Sequence, residues 1–398
     1  MFSFGKPSKS KFATQLIKAF AQTGRKLEFD EEQFMLLDPE GDFRLNLTNI
    51  YQDHCKLSKA DRALHIQQLA GMAKTEVPET FDEAKSSLMP KIWARATFEM
   101  LKLDARLKGN DKMPDLPLYP LGEHLYSSIV FDTPHAMQSI SNAEIEAWGV
   151  TYYPALEAAC QNLAESSMAY AQIGDGFHSA ATGDNYDGCR LLLIDKIQSL
   201  DVKGEPIGLV PHRDAMLVAG SEDPESLKIM FALLEGEGEE VNRPLSPLPL
   251  VLRDGEWIDW EPPKNHAIRP VYEHYHHGFH HNLYAQQKDL LEQIFDIHVD
   301  DPNASFVASY MVLQKEGEKE DVFSLASWGK GVDTLLPRTD RLSLMTEPGG
   351  EMKIARWEDV AEVVGDMLQR VDELYPVRYR VREFPSPEQL DQIPALED

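Results

Sequence analysis

One short string of the sequence combines acidic and basic side chains at spacings that suit ion pairing or ligand binding. In Gly183-Asp-Asn-Tyr-Asp-Gly-Cys-Arg190, Asp184 falls where a helix would begin and Asp187 follows three residues later. A carboxylate at such a position caps the free N–H groups of the first helical turn. Arg190, three residues further on, can pair with Asp187 or reach the next strand. The string therefore predicts either a cap with an ion pair or polar members of a ligand site.

A second string, Pro211-His-Arg-Asp214, places a histidine two residues before a carboxylate. If the string is a strand, side-chain alternation puts His212 and Asp214 on one face and Arg213 on the other. An imidazole oriented by a carboxylate is the arrangement that general-base chemistry needs. The same pair also serves as a buried hydrogen-bond network. Because no nucleophile pattern such as Gly-x-Ser-x-Gly accompanies it, the string assigns no reaction.

The third feature is a histidine cluster. Residues 273–282 contain five of the 13 histidines of the chain. On a helix, two sets share a face, His274, His277 and His281 at i, i+3 and i+7, and His276 with His280 at i, i+4. Either set could bind Zn, Ni or Cu, whose protein sites favour imidazole. The alternative is a helix rich in histidine without metal, and the string is not a His-Glu-x-x-His metalloprotease motif.

Composition narrows the choice of partners and compartment. The 398 residues carry a formal charge of −27, which disfavours nucleic acid and anionic membrane surfaces and suits a basic protein partner. No apolar run approaches the ~18 residues of a membrane span. The three cysteines are scattered, as expected in a reducing cytoplasm. We therefore expect a cytoplasmic protein with no cofactor, unless the histidines bind Zn or another transition metal.

Hydrophobic periodicity predicts the elements that must position these residues. It favours an α+β protein of small antiparallel or mixed sheets, each covered by helices, in two to three modules. The predicted modules are 1–107, with helices and a small sheet, 115–262, an α+β core, and 271–398, a C-terminal α+β module.

Several local elements can be predicted within this frame. Lys91–Leu103 and Trp357–Tyr375 have helical periodicity, and Asp254-Gly255 suits a two-residue hairpin turn. The consecutive prolines in Glu261–Pro270 predict a domain boundary. The tail from Pro385 to Asp398 is expected to be mobile.

The two charged strings, together with Pro244-Leu-Ser-Pro-Leu-Pro249, resemble the signature of the YtpQ-like family of bacterial proteins of unknown function. The resemblance covers roughly residues 11–260 and implies a cytoplasmic protein. It gives weight to Asp184, Asp187, Arg190, His212 and Asp214 without assigning them chemistry. The last third of the chain lies outside it.

These observations lead to three functional hypotheses. The first is a non-catalytic protein-binding module of chaperone, adaptor or immunity type, because no catalytic set is assembled in the sequence. The second is a metal-dependent hydrolase that uses the histidines at 274–281, or His212 with Asp214. The third is a metal-binding protein without turnover.

Overall fold

The protein has an α+β fold in which several small sheets are covered by helices, as the sequence predicts. The computed structural model describes residues 6–39, 44–71, 77–109, 113–133, 136–166, 171–172, 176–180, 182–236, 243–297, 304–314, 322–347, 349–350 and 352–396. Twelve α-helices and 21 strands lie within these ranges. None of these helices combines the length and the apolar character needed to cross a bilayer.

The first sheet is a three-stranded antiparallel meander that shares a core with a preceding helix. The elements are α1 (Lys9–Gln22), β1 (Glu28–Asp30), β2 (Met35–Leu37), β3 (Arg44–Asn46), α2 (Thr48–Lys56) and α3 (Asp61–Gly71). Helix α1 begins where the Ser8 hydroxyl accepts a hydrogen bond from the Lys11 N–H at 3.2 Å. Its apolar stripe, which includes Phe12 and Leu16, packs with Leu36 of the sheet.

The second sheet is centred on a nine-residue strand. Its elements and the surrounding helices are α4 (Phe81–Ala84), β4 (Leu88–Ala94), α5 (Arg95–Leu107), β5 (Tyr119–Leu121), β6 (Leu125–Thr133), β7 (Ala136–Ser139), α6 (Asn142–Ala147) and α7 (Tyr152–Ser166). The helix predicted over Lys91–Leu103 is wrong in its first part, because this segment is strand as far as Ala94. Strand β4 pairs with β6 over seven positions, and this long-range pairing outweighs the local helical pattern.

The pairing of β4 with β6 also bears on the predicted modules. It joins a strand of the predicted 1–107 module to one of the 115–262 module in a single sheet. The segment between these two predicted modules therefore joins strands of one sheet and does not separate two sheets. The division into modules otherwise remains a prediction.

A six-stranded antiparallel sheet forms the central layer, with the strand order β13-β12-β10-β11-β9-β8. Its elements are β8 (Ala171–Gln172), β9 (His178–Ala180), a 3₁₀ helix (Gly188–Leu192), α8 (Ile194–Gln198), β10 (Pro206–Leu209), β11 (Met216–Gly220), α9 (Pro224–Gly236), β12 (Leu250–Arg253) and β13 (Glu256–Asp259). The predicted hairpin turn between β12 and β13 is confirmed, with φ of 52° at Asp254 and 82° at Gly255.

Both faces of the six-stranded sheet are buried. Apolar side chains of its strands point alternately to one face and to the other. Ile207 and Leu217 point into a core shared with α9, whereas Val210 and Val218 point into a core shared with the 3₁₀ helix. At Gly208 a side chain would lie 2.5 Å from Leu191 Cδ1. The missing side chain lets the 3₁₀ helix approach the sheet, and that helix carries part of the candidate site.

The C-terminal part contains one 29-residue helix and two four-stranded sheets, ordered β14-β17-β21-β20 and β15-β16-β18-β19. The elements are α10 (Arg269–Ile297), β14 (Phe306–Val307), β15 (Met311–Gln314), β16 (Val322–Gly329), β17 (Thr334–Pro337), β18 (Arg341–Met345), β19 (Met352–Arg356), α11 (Trp357–Val364), a 3₁₀ helix (Gly365–Met367), β20 (Gln369–Val371), β21 (Arg378–Val381) and α12 (Pro387–Gln392).

Two predictions for this part are wrong. The helix predicted over Trp357–Tyr375 stops at Val364, because Gly365 adopts a φ of 52° and the chain then turns into β20. The described part of the tail after Pro385 is ordered. A capping box starts α12 at Ser386, and Ile393 is only 1% exposed in the neighbouring core. Burial of that side chain holds the tail in place.

The proline segment before α10 is held by contacts at both ends. Trp260 and Ile268 lie in the same apolar core as α9, and Arg269 donates a hydrogen bond to the Pro262 carbonyl at 2.8 Å. The first turns of α10 therefore pack on the six-stranded sheet, so the core of this sheet continues across the predicted domain boundary.

Candidate functional site

The three strings that carry the family resemblance lie against one another. The Gly188 N–H donates a hydrogen bond to the Arg213 carbonyl at 3.0 Å, which joins the first string to the second. Pro244, at the start of the third string, forms an isolated antiparallel bridge with His212. Segments separated by up to 60 residues in sequence thus meet beyond the end of β10. We take this junction as the candidate site.

Arg190 is the centre of the first string and is fully buried. Its guanidinium donates to Asp184 at 2.5 and 3.0 Å and to Asp187 at 3.1 Å, so the predicted pairing with Asp187 is present. Asp187 is also fully buried and accepts further hydrogen bonds from Thr182 and from the Gly183 N–H. Two carboxylates thus share one guanidinium group, and the hydrogen bonds from Thr182 and the Gly183 N–H help to stabilise the buried carboxylate of Asp187.

Asp184 lies at the rim of this arrangement. Burial alone would raise the pKa of Asp184, but the bonds from Arg190 and from the Tyr186 N–H hold it below its ordinary value. Asp184 accepts the Tyr186 N–H at 2.9 Å, two residues ahead, and Asp187 makes no capping bond to the 3₁₀ helix. The predicted cap is thus replaced by a turn held by a buried arginine, and Asp184, Asp187 and Arg190 shape the loop around the site.

The contact between the first two strings depends on the small size of Gly188. A side chain there would lie 2.7 Å from Val210 Cγ1 and 3.2 Å from the Arg213 carbonyl oxygen. We expect Gly188→Ala to lower the free energy of unfolding by about 1–3 kcal/mol. The added methyl group would overlap Val210 and the Arg213 carbonyl, and the carbonyl can move only if the backbone moves. Gly278→Ala is the control, because nothing lies within 4 Å of its position in α10. Equal effects of the two changes in urea unfolding would contradict the prediction.

For the second string, the prediction that His212 and Asp214 share one strand face is wrong. His212 and Asp214 lie in the connection between β10 and β11, and not on one strand face. The Asp214 carboxylate pairs with Arg213 Nε at 3.1 Å, whereas His212 Nδ1 accepts the Asp214 backbone N–H at 3.1 Å. The imidazole is therefore oriented by main chain.

The sequence reasoning missed a lysine beneath this junction. Lys91 of β4 is 7% exposed, and its Nζ lies 3.8 Å from the sulfur of Met137. Ser128 is its cross-strand partner, and the carboxyl group of Asp132 lies on the same face of the sheet. The available signal was a single lysine in the run Met89-Pro-Lys-Ile-Trp93, but the segment from Lys91 was interpreted as the start of a helix.

The predicted metal ligands His274, His277 and His281 do not converge. His277 is buried and shares a hydrogen bond with the Tyr310 hydroxyl at 2.9 Å, whereas His281 donates Nδ1–H to the Tyr310 carbonyl at 2.9 Å. His274 is exposed. Across the residues that the structure describes, no three His, Cys, Asp or Glu side chains are grouped to hold a metal ion.

Other histidines of α10 form a cluster with one from the β5–β6 turn. The rings of His276 and His280 are 4.2 Å apart, and that of His124 lies 5.3 Å from His280. His124 Nδ1 also shares a hydrogen bond with the Tyr375 hydroxyl at 2.8 Å. Burial, followed by the repulsion of neighbouring imidazoles, lowers the pKa of His124 to about 3 and that of His276 to about 2. These histidines are neutral and belong to the interior.

A separate cavity of about 620 Å³ opens at the edge of the six-stranded sheet. Its lining includes four carboxylates, Glu205, Glu222, Asp259 and Glu261, and the ring of Trp260. Arg253 contributes the one guanidinium group among the described lining residues. The cavity therefore has the character of a receptor for a cation.

No family model, curated protein or solved structure matches the chain. The resemblance to the YtpQ-like family accordingly stays a prediction. The function has to be argued from the geometry described above.

Proposed function

We propose that the protein is a non-catalytic protein-binding module of chaperone, adaptor or immunity type, and that it recognises a basic side chain of its partner. The observation that carries the proposal is the acidic cavity of about 620 Å³. With four carboxylates against one guanidinium group, its lining attracts a lysine or arginine and repels an acidic group.

One carboxylate of the cavity is open to a partner. Glu205 pairs with Arg253 at 2.6 Å, and Glu261 pairs with Arg269 at 2.7 Å. The Asp259 carboxylate accepts the Glu123 N–H at 2.8 Å. Glu222 is exposed, and no ion pair joins it to any residue in the described ranges. A cationic side chain that enters the cavity would therefore find its counter-ion at Glu222 without breaking an existing pair.

The aromatic residues of the cavity add a second element of recognition. Trp260 meets His266 edge to face, with ring centroids 5.9 Å apart, so the two rings lie together in the wall. A guanidinium or ammonium group gains attraction from the face of an indole ring, by about 0.5–2 kcal/mol depending on desolvation. This favours a cation on an organic side chain over a small hydrated metal ion.

The charge of the whole chain supports the same choice of partner. A net charge of −27 produces a negative field that accelerates encounter with basic proteins and weakens with salt. Specific affinity must still come from a defined pocket, because long-range charge mainly sets the association rate.

The proposal is tested by reversing the charge of Glu222. A peptide with one arginine between apolar residues is titrated calorimetrically into the protein, beside the same peptide with glutamine. We expect the arginine peptide to bind and Glu222→Lys to weaken it at least tenfold, or by about 1.4 kcal/mol. The glutamine peptide should bind neither protein.

Glu165→Lys is the matched control, because Glu165 is exposed at the end of α7 and the change in total charge is the same. If both variants weaken binding equally, the attraction is a property of the total charge and the cavity is not the site. Equal affinity for the arginine and glutamine peptides would also reject the proposal.

No contact or distance among the described residues supports either of the two metal hypotheses. The histidines at 274, 277 and 281 diverge, and the described carboxylate contact of the second string is to Arg213. The resemblance to the YtpQ-like family and a cytoplasmic location remain part of the proposal. The meeting of the three strings at one junction supports the family resemblance.

A further inference from the structure

Lys91 is a buried cation that forms no ion pair with a carboxylate in the part of the chain that the structure describes. Its side chain is 7% exposed, and its single hydrogen-bond acceptor within the described structure is the sulfur of Met137 at 3.8 Å. A thioether is a weak acceptor, and an ammonium group withdrawn from water without a counter-ion is costly. The fold keeps this lysine at the junction of the three strings in spite of that cost.

A second buried polar group beside Lys91, a serine hydroxyl, also lacks a hydrogen-bond partner among the described residues. Ser128, directly opposite Lys91 on β6, is fully buried, and its hydroxyl has no hydrogen-bond partner among the described residues. Lys91 and Ser128 point to the same face of the sheet, because opposed residues of an antiparallel pair share a face. Two donors on one face therefore lack a strong acceptor.

Two arginines connect this buried face with the surface. The Arg213 N–H donates a hydrogen bond to the Arg243 carbonyl at 3.3 Å, so these two residues are neighbours at the junction, and their side chains are 13% and 21% exposed. Both arginines act electrostatically on Lys91. Each has one carboxylate neighbour, Asp214 at 3.1 Å and Asp53 at 2.9 Å. Within the described residues, two carboxylates form the ion pairs of the two arginines, and Asp132, on the same face as Lys91, interacts with the lysine electrostatically without an ion pair. Lys91 is therefore the cation of this group that lacks a direct carboxylate contact.

We propose that Lys91, Arg213 and Arg243 form a binding site for a small oxyanion, a phosphate or a carboxylate group, at the junction of the three strings. Such a ligand would supply acceptors to Lys91 and Ser128. Guanidinium groups bind both oxyanions through paired hydrogen bonds. The site explains why a local cationic cluster persists in a strongly acidic chain. It is independent of the cavity around Glu222, so the two proposals can fail separately.

Burial and the two neighbouring arginines also change the proton affinity of the lysine. Burial, followed by the repulsion of Arg213 and Arg243 and opposed by Cys189 and Asp214, lowers the pKa of Lys91 to about 8. The amine is consequently mostly protonated at pH 7 and about half protonated at pH 8. A bound anion would favour the charged form.

The test compares Lys91→Met with Lys102→Met, a matched change at an exposed lysine of α5. Thermal unfolding is followed in a phosphate-free buffer, with and without inorganic phosphate or acetate. We expect one of the two anions to raise the Tm of the wild type and of Lys102→Met by about 2–4 °C. Lys91→Met should have a higher Tm without anion and should lose the anion-dependent rise. A wild type that responds to neither anion, or a Lys91→Met variant that keeps the full response, would overturn the proposal.

A second measurement on the wild type does not depend on the variant folding. Amine acylation at pH 8, mapped by mass spectrometry, reports the reactivity of individual lysines. We expect the stabilising anion to slow modification of Lys91 at least about fivefold at a concentration five times its Kd, and to leave Lys102 unchanged. Unchanged modification of Lys91, or equal protection of both lysines, would show that no anion binds at this junction.

Discussion

Arg190→Ala is expected to lower the free energy of unfolding by about 3–5 kcal/mol, because it leaves the buried Asp187 without its counter-ion. Both partners of this pair are fully buried, so water cannot solvate the remaining carboxylate. The loss is a large part of the ~5–15 kcal/mol that stabilises an ordinary protein. Urea unfolding followed by circular dichroism measures it.

The exposed pair between Arg253 and Glu205 provides the control. Its side chains are 51% and 42% exposed, and two short hydrogen bonds of 2.6 Å join them. Arg253→Ala should cost no more than about 1 kcal/mol, because water screens the pair. Similar costs at Arg190 and Arg253 would contradict the role of burial.

A second variant keeps the prediction testable if Arg190→Ala does not fold. Asp184→Asn removes one charge from the partly exposed side of the same network, where the carboxylate is 32% exposed. We expect an intermediate cost, smaller than that of Arg190→Ala and larger than that of Arg253→Ala. The order of the three costs reports how deeply each charge is buried.

The second large effect expected is a loss of stability in mild acid, caused by the buried histidines of α10 and the β5–β6 turn. The pKa of His124 and His276 is near 6.5 in an unfolded chain and about 3 and about 2 in the folded protein. Between these values the unfolded state binds more protons, so stability is complete above pH 6.5 and falls with pH below it. The two groups together should cost about 2–3 kcal/mol between pH 7.5 and pH 5.5.

The measurement is urea unfolding at pH 7.5, 6.5 and 5.5. A double variant, His124→Phe with His276→Phe, should lose much of the pH dependence, whereas His274→Gln at an exposed position should keep it. Burial, followed by the repulsion of Asp259, raises the pKa of the nearby Glu123. A wild type as stable at pH 5.5 as at pH 7.5 would show that these imidazoles accept protons without unfolding.

Local sequence patterns were sufficient wherever neighbours in the chain decide the structure. The two-residue turn at Asp254-Gly255 and the pairing of Arg190 with Asp187 were both predictable. Each depends on residues a few positions apart, whose geometry is set by backbone dihedrals and side-chain reach. The α+β class follows from the sum of such patterns.

Tertiary structure decided the features that depend on distant partners. Pairing with β6 made Lys91 part of a strand, and the positive φ of Gly365 ended α11 early. The turn after β10 directed the Asp214 main-chain N–H, rather than a shared strand face, toward His212, and the ring of His280 partly covered that of His276. The sequence by itself therefore determined the fold class and the strings that form the candidate site. Only long-range packing decided which charged groups are buried, because desolvation depends on what surrounds a residue in space and not on its neighbours in the chain.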